Sequence, residues 1–452
     1  MRLEELALES VRVAKAEGAD QAEAYVVEVR SLSVYVDNSR IKSAEAKSDL
    51  GMAMRVSKGG RIGQSSTSLS SPADSIGCAR SAVKTASLVP VDKVFKGFAQ
   101  PAKGRSGLKV KDPEVASLTI EGALEIMKGM VDAAAEPRKV KVPNGLLRIA
   151  ELGSVVANSN ELLTRRECTL IYAMLSAMTE GTPGEGTETF YSPHLKGLDT
   201  SRLGGSLRAK AKASAKAKAY KGNVRLPVIM PPHEISEMLQ GSIQFALSAE
   251  NVNRKRSPLA GQVGKQVTAK CLNLTDDPWD QRGMLSSPYD DEGTPTRRKP
   301  LVKDGVLKGF LYDLYNSQFS GAEPTGNGLR RSATDPIGNY QIDIGIAPVC
   351  LVLKPGTRSV EDLIGEMDQG LVVEKTSAPE VHPITGDFGI EVRCAHLVRK
   401  GEMRSTVKHC LLSGNMFRAL SQIGDMANDS TVSRNLILPS VRLEDLELIG
   451  SA

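Results

Sequence analysis

The stretch Ser257-Pro-Leu-Ala-Gly261-Gln-Val-Gly264-Lys-Gln-Val267 begins the part of the chain whose pattern decides the fold. From here to the C-terminus, short runs of β-forming residues alternate with Gly, Pro, Asn and Asp, which are typical of turns. Helical patterns interrupt this series near Val360–Met367 and Met416–Ile423, and one helix at about 233–250 precedes it. The second half is therefore predicted to be mainly β, as a barrel or a sandwich.

The first half has a different pattern, in which helices flank groups of strands. Apolar residues at helical spacing predict a helix over residues 3–17, and Ser71-Pro72 begins another helix. Between these two helices, Gly59-Gly60 separates two strand-like runs and predicts a hairpin. A second group of strands is predicted within 146–178, followed by an Ala- and Lys-rich helix at Leu207–Tyr220.

The length of the chain indicates two domains. Its 452 residues are too many for a single hydrophobic core. We place the boundary where Gly222-Asn223 leads into a new β-like run. The prediction is an α+β protein with a mixed α/β N-terminal domain at residues 1–222 and a mainly β C-terminal domain at residues 223–452.

Composition and charge exclude several classes of protein. The 58 basic and 53 acidic residues are interspersed and leave a net charge of only +5, which is typical of a solvated surface and disfavours nucleic acid as a ligand. No run approaches the 18 apolar residues that a membrane helix needs. The acidic, amphipathic N-terminus is unlike a secretory signal, and six cysteines without CxxC spacing fit a reducing compartment. We therefore predict a cytoplasmic protein without a membrane partner.

The residues that could carry chemistry form no complete catalytic set. Pro232-His233-Glu234 begins a helix, but no second histidine follows on it, where a zinc peptidase helix needs two. His233 and Glu237, one helical turn apart, are the candidate metal ligands. The consecutive carboxylates Asp290-Asp291-Glu292 cannot all point the same way, and with Gly293 beside them we interpret them as a turn.

A series of motifs extends in a fixed order along nearly the whole chain. In the first domain it comprises Gly51–Arg55 and Gly60–Gly63, and it continues through Ser257–Val267 in the second. The further motifs are Thr275-Asp276-Asp277-Pro278, Asp290–Thr296, Asp304–Leu311, Pro324–Gly328, Thr385–Phe388, Ser413-Gly414-Asn415 and Asn428-Asp429. This ordered set resembles the TldD/PmbA family, whose members are described as metallopeptidases or modulators of gyrase.

The resemblance implies where a metal site would lie. TldD-like subunits hold a metal through an HExxxH helix and a later cysteine, and TldE/PmbA subunits lack both. Counted back from Ser257, the two histidine positions fall at Gln240 and Phe245, with Gly241 at the glutamate position. No cysteine follows Asn428-Asp429. The chain is therefore similar to the TldE/PmbA branch, and we expect no metal ligands in it and zinc in a TldD-like partner.

The resemblance also implies a function. The chain is expected to be a non-catalytic subunit of a TldD–TldE metallopeptidase complex that degrades small or unfolded polypeptides. We expect a heterodimer or larger assembly with a TldD-like subunit, and a homodimer is kept as an alternative. A cleft in which a sheet edge accepts an extended peptide as an added strand would suit such substrates. Two loops, Thr325-Gly326-Asn327-Gly328 and Gly386-Asp387-Phe388, are predicted to lie near that cleft.

Two other functions are kept open. The first is a self-sufficient metallopeptidase with an atypical site built from His233, Glu237 and a distant ligand. Zinc content and peptide hydrolysis of the chain alone test this alternative. The second is a regulatory binding protein, as the name gyrase modulator suggests, and salt-dependent DNA binding through Lys210–Lys221 would support it.

Overall fold

A computed structural model of the chain describes residues 2–136, 138–331, 337 and 339–450. The first part consists of helices and long strands, with bounds as follows: α1 (Leu3–Ala16), β1 (Gln21–Asp37), β2 (Arg40–Lys58), β3 (Arg61–Ser68), α2 (Pro72–Ala86), α3 (Pro113–Ala116), α4 (Ile120–Ala134), β4 (Val140–Asn158), β5 (Leu163–Thr179), β6 (Glu185–Ser192) and α5 (Thr200–Ala215). The six strands form one antiparallel sheet in the order β3-β2-β1-β4-β5-β6.

This sheet is built from two copies of one arrangement. In each copy a helix precedes three antiparallel strands and another helix follows them, as α1-β1-β2-β3-α2 and as α4-β4-β5-β6-α5. The copies join where β1 pairs with β4, so β3 and β6 lie at the two outer edges. This internal repeat is not visible in the sequence, because the two copies share a layout of elements rather than motifs.

Both faces of the sheet are covered. On one face, α1 and α2 pack on residues such as Ala24 and Met54, and α4 and α5 pack on residues such as Leu147 and Ala173. On the other face, residues such as Leu152 pack against Met284 and Leu314 of the second part of the chain. The two parts therefore share a buried apolar interface.

The second part begins with short elements. They are β7 (Lys218–Ala219), β8 (Asn223–Met230), α6 (Pro232–Leu239), a π-turn (Gln240–Gln244), α7 (Ala249–Asn253), β9 (Leu274–Asp276), β10 (Lys299–Lys303), β11 (Val306–Leu307), α8 (Leu314–Ser320), β12 (Gly328–Leu329), β13 (Gly345–Ile346), β14 (Leu351–Leu353) and α9 (Val360–Gly365). It ends with β15 (Gln369–Thr376), β16 (Asp387–Arg399), β17 (Glu402–Lys408), β18 (Cys410–Asn415), α10 (Met416–Ser421), β19 (Ile423–Met426), β20 (Thr431–Ser433), β21 (Leu436–Leu438) and β22 (Val441–Ile449).

Five of these strands close into a barrel. The order is β15-β8-β22-β18-β16, and β16 pairs again with β15. Closure removes the open edges that a flat sheet would expose. A second sheet has the order β11-β10-β9-β14-β21-β20, and α6 contributes Ile235 and Met238 to the core shared with the barrel. The predicted α+β fold with a β-barrel in the second half is therefore confirmed.

Predictions of turns and helix ends agree with the structure where the residues of the turn or helix themselves determine the conformation. Gly59 and Gly60 have positive φ values of 58° and 71° and form the two-residue turn between β2 and β3, as predicted. The predicted helix at Leu207–Tyr220 is wrong at both ends, because α5 spans Thr200–Ala215 and β7 follows it.

The domain boundary after residue 222 stays a prediction. Among the described residues, no helix combines the length and the apolarity needed to cross a membrane.

Candidate functional site at the interdomain cleft

A cleft of about 480 Å³ lies between the outer edge of the first sheet and the second part of the chain. Six consecutive residues of β6, Thr187 to Ser192, line one wall. The start of α6, at Pro231 to Glu234, and residues 430–433 at β20 line the opposite wall. Because both inward and outward residues of β6 reach the cleft, the cleft meets this strand along its edge and not only on one face.

The strand β6 is an edge strand, and part of it lies close to β20. It is the last strand of its sheet and pairs with β5 on one side only. The N–H and C=O groups on the other side of such a strand provide a template for another extended chain. The sequence predicted strands only as far as residue 178, so β6 was missed. The missed signal was the run Thr187-Glu-Thr-Phe-Tyr191, which is rich in β-forming residues.

The candidate ligand His233 is half-buried in the wall of this cleft. Its Nδ1 lies 3.4 Å from Oγ of Ser433. Burial lowers the pKa of His233, and the nearby Glu237 opposes that shift. The ring is therefore favoured in its neutral form, as a hydrogen-bonded wall residue.

The second candidate, Glu237, is bound by an arginine. Arg434 Nη2 donates to its Oε1 at 2.8 Å. Arg434 lies in the two-residue turn between β20 and β21, with φ of 56°, an uncommon conformation for a non-glycine residue. The structure thus places His233 and Glu237 near one another but gives each a different protein partner. Their role as metal ligands stays a prediction.

The helix after Glu237 contains a π-turn at Gln240–Gln244. In a regular α-helix, residues five apart lie about 140° apart around the axis. A π-turn brings such residues onto one face, because its hydrogen bonds join residues five apart. The backbone therefore aligns positions 240 and 245, the two histidine positions implied by the family resemblance.

The side chains at these positions do not fit a metal. Gln240 bonds to two residues of the β20–β21 turn, since its Nε2 donates to Asn435 at 3.4 Å and its Oε1 accepts from Arg434 at 3.3 Å. Phe245 has no donor atom. Across the described part of the chain, no group of three or more His, Cys, Asp or Glu residues is arranged to hold a metal ion. An arginine and two amides thus occupy the region that the resemblance assigns to zinc.

A second carboxylate of the cleft wall, Glu234, is buried and hydrogen-bonded. Its Oε2 accepts from the backbone N–H of Thr376 at 3.3 Å and from the Thr376 hydroxyl. Burial raises its pKa, whereas the bonds from Thr376 lower it. Glu234 therefore connects the start of α6 to β15 by hydrogen bonds and stabilises this wall of the cleft.

The two loops predicted to lie at a cleft occupy other places. In Thr325-Gly326-Asn327-Gly328, the Asn327 side chain is fully buried and donates to Asp276 Oδ2 at 2.8 Å. In Gly386-Asp387-Phe388, Phe388 packs in the barrel core and Asp387 accepts from Asn415 at 2.8 Å. Neither loop is among the described residues that line the 480 Å³ cleft. A role of these loops in substrate binding stays a prediction.

The Asp290-Asp291-Glu292 turn holds the two parts of the chain together. Glu292 Oε1 accepts from Arg55 of β2 at 2.8 Å, and Asp291 Oδ1 accepts from Arg166 of β5 at 3.4 Å. Asp290 instead accepts from the backbone N–H of Gly328 at 3.0 Å. The three carboxylates thus point to three different partners, as expected for a turn. Burial, and then the neighbouring Glu292, raise the pKa of Asp290 well above its usual range.

A nearby carboxylate makes stability depend on pH. Burial, and then Glu292, raise the pKa of Asp313 to about 6. An acid whose pKa is raised on folding contributes stability at low pH that is lost as the pH rises, here from about 4 to about 6. We expect the free energy of unfolding of Asp313→Asn, relative to that of the wild type, to increase by about 2 kcal/mol between pH 4 and pH 7. The side chain caps α8, and asparagine caps equally well.

Urea unfolding at pH 4, 5, 6 and 7 measures this difference. The control is Asp445→Asn on the surface, where a hydrogen bond from Arg225 lowers the pKa of the carboxyl. Its stability relative to the wild type should change with pH in the opposite direction. A constant difference between Asp313→Asn and wild type at all four pH values would contradict the expected shift.

The architecture defines the class of protein: a two-domain α+β protein with a strand-edged cleft beside a π-turn helix. The family model for the PmbA/TldA metallopeptidase C-terminal domain matches residues 223–450, and that for PmbA/TldA metallopeptidase domain 1 matches residues 22–87. The chain therefore belongs to the TldD/PmbA family, as the sequence motifs indicated.

Individual relatives agree over most of the chain. An uncharacterized protein of Methanocaldococcus jannaschii is 27% identical over 95% of this chain and 97% of its own length. A metalloprotease TldD homolog of Haemophilus influenzae is 26% identical over 77% of this chain and 76% of its own length. The crystal structure of TldE from Thermococcus kodakarensis superposes with a TM-score of 0.90 and 25% identity, covering 98% of this chain and 99% of that one.

Proposed function

We propose that this chain is a TldE-type, metal-free subunit of a cytoplasmic TldD–TldE metallopeptidase complex. In this role a TldD-like partner supplies the zinc and the hydrolytic step. The chain itself contributes the strand-edged cleft, in which an extended stretch of a small or unfolded polypeptide adds to β6. Backbone pairing of this kind is tolerant of substrate sequence.

The observation that carries the proposal is the set of side chains at the two positions that the family resemblance assigns to histidine. The π-turn aligns positions 240 and 245, but Gln240 is hydrogen-bonded to Arg434 and Asn435. A guanidinium cannot bind a metal cation, and it already neutralises Glu237. The similarity to TldE from Thermococcus kodakarensis, over 98% of the chain, supports the same assignment.

The structure offers less support for the two alternatives. For a self-sufficient metallopeptidase, Glu237 would have to leave Arg434 before it could bind a metal. For a DNA-binding protein, the lysines of α5 would have to be available, but Lys210 pairs with Glu188 and Lys212 with Glu136. The self-sufficient metallopeptidase therefore needs an ion pair to break before a metal binds, whereas DNA binding would rest on the exposed Lys216, Lys218 and Lys221.

A mixing experiment tests the proposal. The chain, a TldD-like subunit and their mixture are each assayed for bound zinc and for cleavage of an unfolded polypeptide. We expect substoichiometric zinc and no cleavage for the chain alone, and cleavage by the mixture that depends on both proteins. Stoichiometric zinc together with cleavage by the isolated chain would overturn the proposal and favour the self-sufficient enzyme. A mixture no more active than the TldD-like subunit alone would also contradict it.

A further inference from the structure

The cleft wall carries more positive than negative charge. Five basic side chains line it, namely Lys196, Arg202, Lys210, Arg282 and Lys375, against the three acidic side chains Glu188, Glu234 and Glu374. Charges of one sign around a concave site raise the local concentration of ligands with the opposite charge. Which ligands the cleft attracts therefore depends on which of its charged side chains lack an ion-pair partner.

Three of the basic groups already have partners. Lys210 Nζ lies 3.0 Å from Glu188, and Arg282 Nη2 lies 2.7 Å from Asp280. Lys375 donates to the Thr187 hydroxyl at 2.5 Å and lies 4.0 Å from Glu185. These three side chains stabilise the walls of the cleft and are occupied by neighbours.

The acidic groups of the lining are also occupied. Glu188 accepts from Lys210 and from the Ser206 hydroxyl. Glu374 Oε1 lies 3.7 Å from His396 Nε2, and the buried Glu234 accepts two bonds from Thr376. Each acidic side chain of the lining therefore has a polar neighbour, and the basic side chains of the lining outnumber the acidic ones.

Lys196 and Arg202 are the remaining basic side chains of the lining. Both are exposed, and within the described residues neither has a carboxylate within 4.0 Å. Both follow β6 in the chain, Lys196 four residues after its end and Arg202 in the first turn of α5. Both therefore line the cleft and follow the strand edge in the chain.

We propose that Lys196 and Arg202 form a carboxylate-binding site at the mouth of the cleft, which selects extended peptides bearing a negative charge near the end that reaches past Ser192. This inference rests on the proposed role of β6 in binding peptides. The planar guanidinium of Arg202 matches the two oxygens of a carboxylate, and the ammonium of Lys196 adds a second charge-assisted bond. The carboxylate is either an Asp or Glu side chain or the free C-terminus of the peptide.

Fluorescence anisotropy with labelled peptides tests the site on the full chain. A Thr- and Val-rich octapeptide is prepared in four versions: with Glu or Gln near both ends, so that either strand direction is tested, each with a free or an amidated C-terminus. We expect the charged versions to bind about fivefold tighter than the neutral one at about 0.1 M salt. The Glu-amide and Gln-acid versions show which carboxylate provides the preference.

Paired variants connect the preference to the two residues. Lys196→Gln with Arg202→Gln should abolish the preference and leave binding of the neutral peptide unchanged. The control, Lys128→Gln with Lys270→Gln, removes the same charge from two exposed lysines outside the cleft and should keep the preference.

Each outcome has a distinct meaning. Equal binding of all four peptides overturns the carboxylate site and leaves the β6 edge as the peptide-binding element. A preference that persists in the Lys196→Gln/Arg202→Gln protein also overturns it. Failure of every peptide to bind contradicts both this site and the role of β6, while the zinc and mixing experiment still tests the subunit assignment by itself.

Discussion

Replacement of Arg55 by methionine should lower the free energy of unfolding by about 3–5 kcal/mol. The Arg55 side chain is 11% exposed, and it binds two carboxylates, Glu23 and Glu292, that are each 1% exposed. Removing the guanidinium leaves two buried carboxylates without their hydrogen-bonded cation, and Glu23 keeps a positive charge nearby, that of Arg330. Their desolvation then opposes folding, because burial disfavours the ionised form of a carboxyl group.

The matched control for Arg55→Met is Arg30→Met. Arg30 lies on the neighbouring strand β1 and pairs with Glu28 at 3.0 Å, but its side chain is 65% exposed. Exposed pairs contribute about 0–1 kcal/mol, so this variant should unfold close to the wild type in urea. Adding Glu23→Gln and Glu292→Gln to Arg55→Met should recover part of the lost stability, since the unpaired charges are then removed.

A result in which Arg55→Met and Arg30→Met lose equal stability would contradict the assigned role of the buried pair. The role matters for the fold, because Arg55 belongs to the first sheet and Glu292 to the second part of the chain. The ion pairs at Arg55 and Arg166 thus join the two parts of the chain between which the cleft lies.

The sequence predicted those features that nearby residues determine. The α1 helix, the Gly59-Gly60 turn and the mainly β character of the second half all follow from local spacing and turn chemistry. The end of α5 was predicted wrongly because Lys218–Ala219 pairs in parallel with β17, almost 190 residues away. The start of α5 had a usable signal in Asp199, whose side chain accepts from the N–H of Arg202 at 2.9 Å.

The candidate site depends more strongly than these local features on contacts between residues that are far apart in the sequence. Closure of the barrel needs the parallel pairing of β8 with β15, for which a single sequence contains no register information. Asp290-Asp291-Glu292 was interpreted as a turn, which is consistent with its three diverging carboxylates. Its role as an interdomain clamp could not be predicted, because the partners Arg55 and Arg166 lie 237 and 125 residues away.

Replacement of Asn327 by leucine should lower the free energy of unfolding by about 2–4 kcal/mol. The Asn327 side chain is fully buried and makes three hydrogen bonds. Its Nδ2 donates to Asp276 Oδ2 at 2.8 Å and to the carbonyl of Ala347 at 2.9 Å, and its Oδ1 accepts from Thr325 Oγ1 at 2.7 Å. Leucine has a similar volume but leaves these buried polar groups without their partner.

The same variant decides between two roles for the Thr325–Gly328 loop. If the loop is part of the framework, Asn327→Leu loses stability, and the protein that remains folded binds the labelled neutral octapeptide as tightly as the wild type. If the loop contacts substrate, the variant loses peptide affinity at little cost in stability. The control Asn428→Leu changes an exposed asparagine and should shift stability by at most about 0.5 kcal/mol. Because the hydrogen bonds of Asn327 all point into the protein, we expect the framework outcome, with urea unfolding and anisotropy measured on the same preparations.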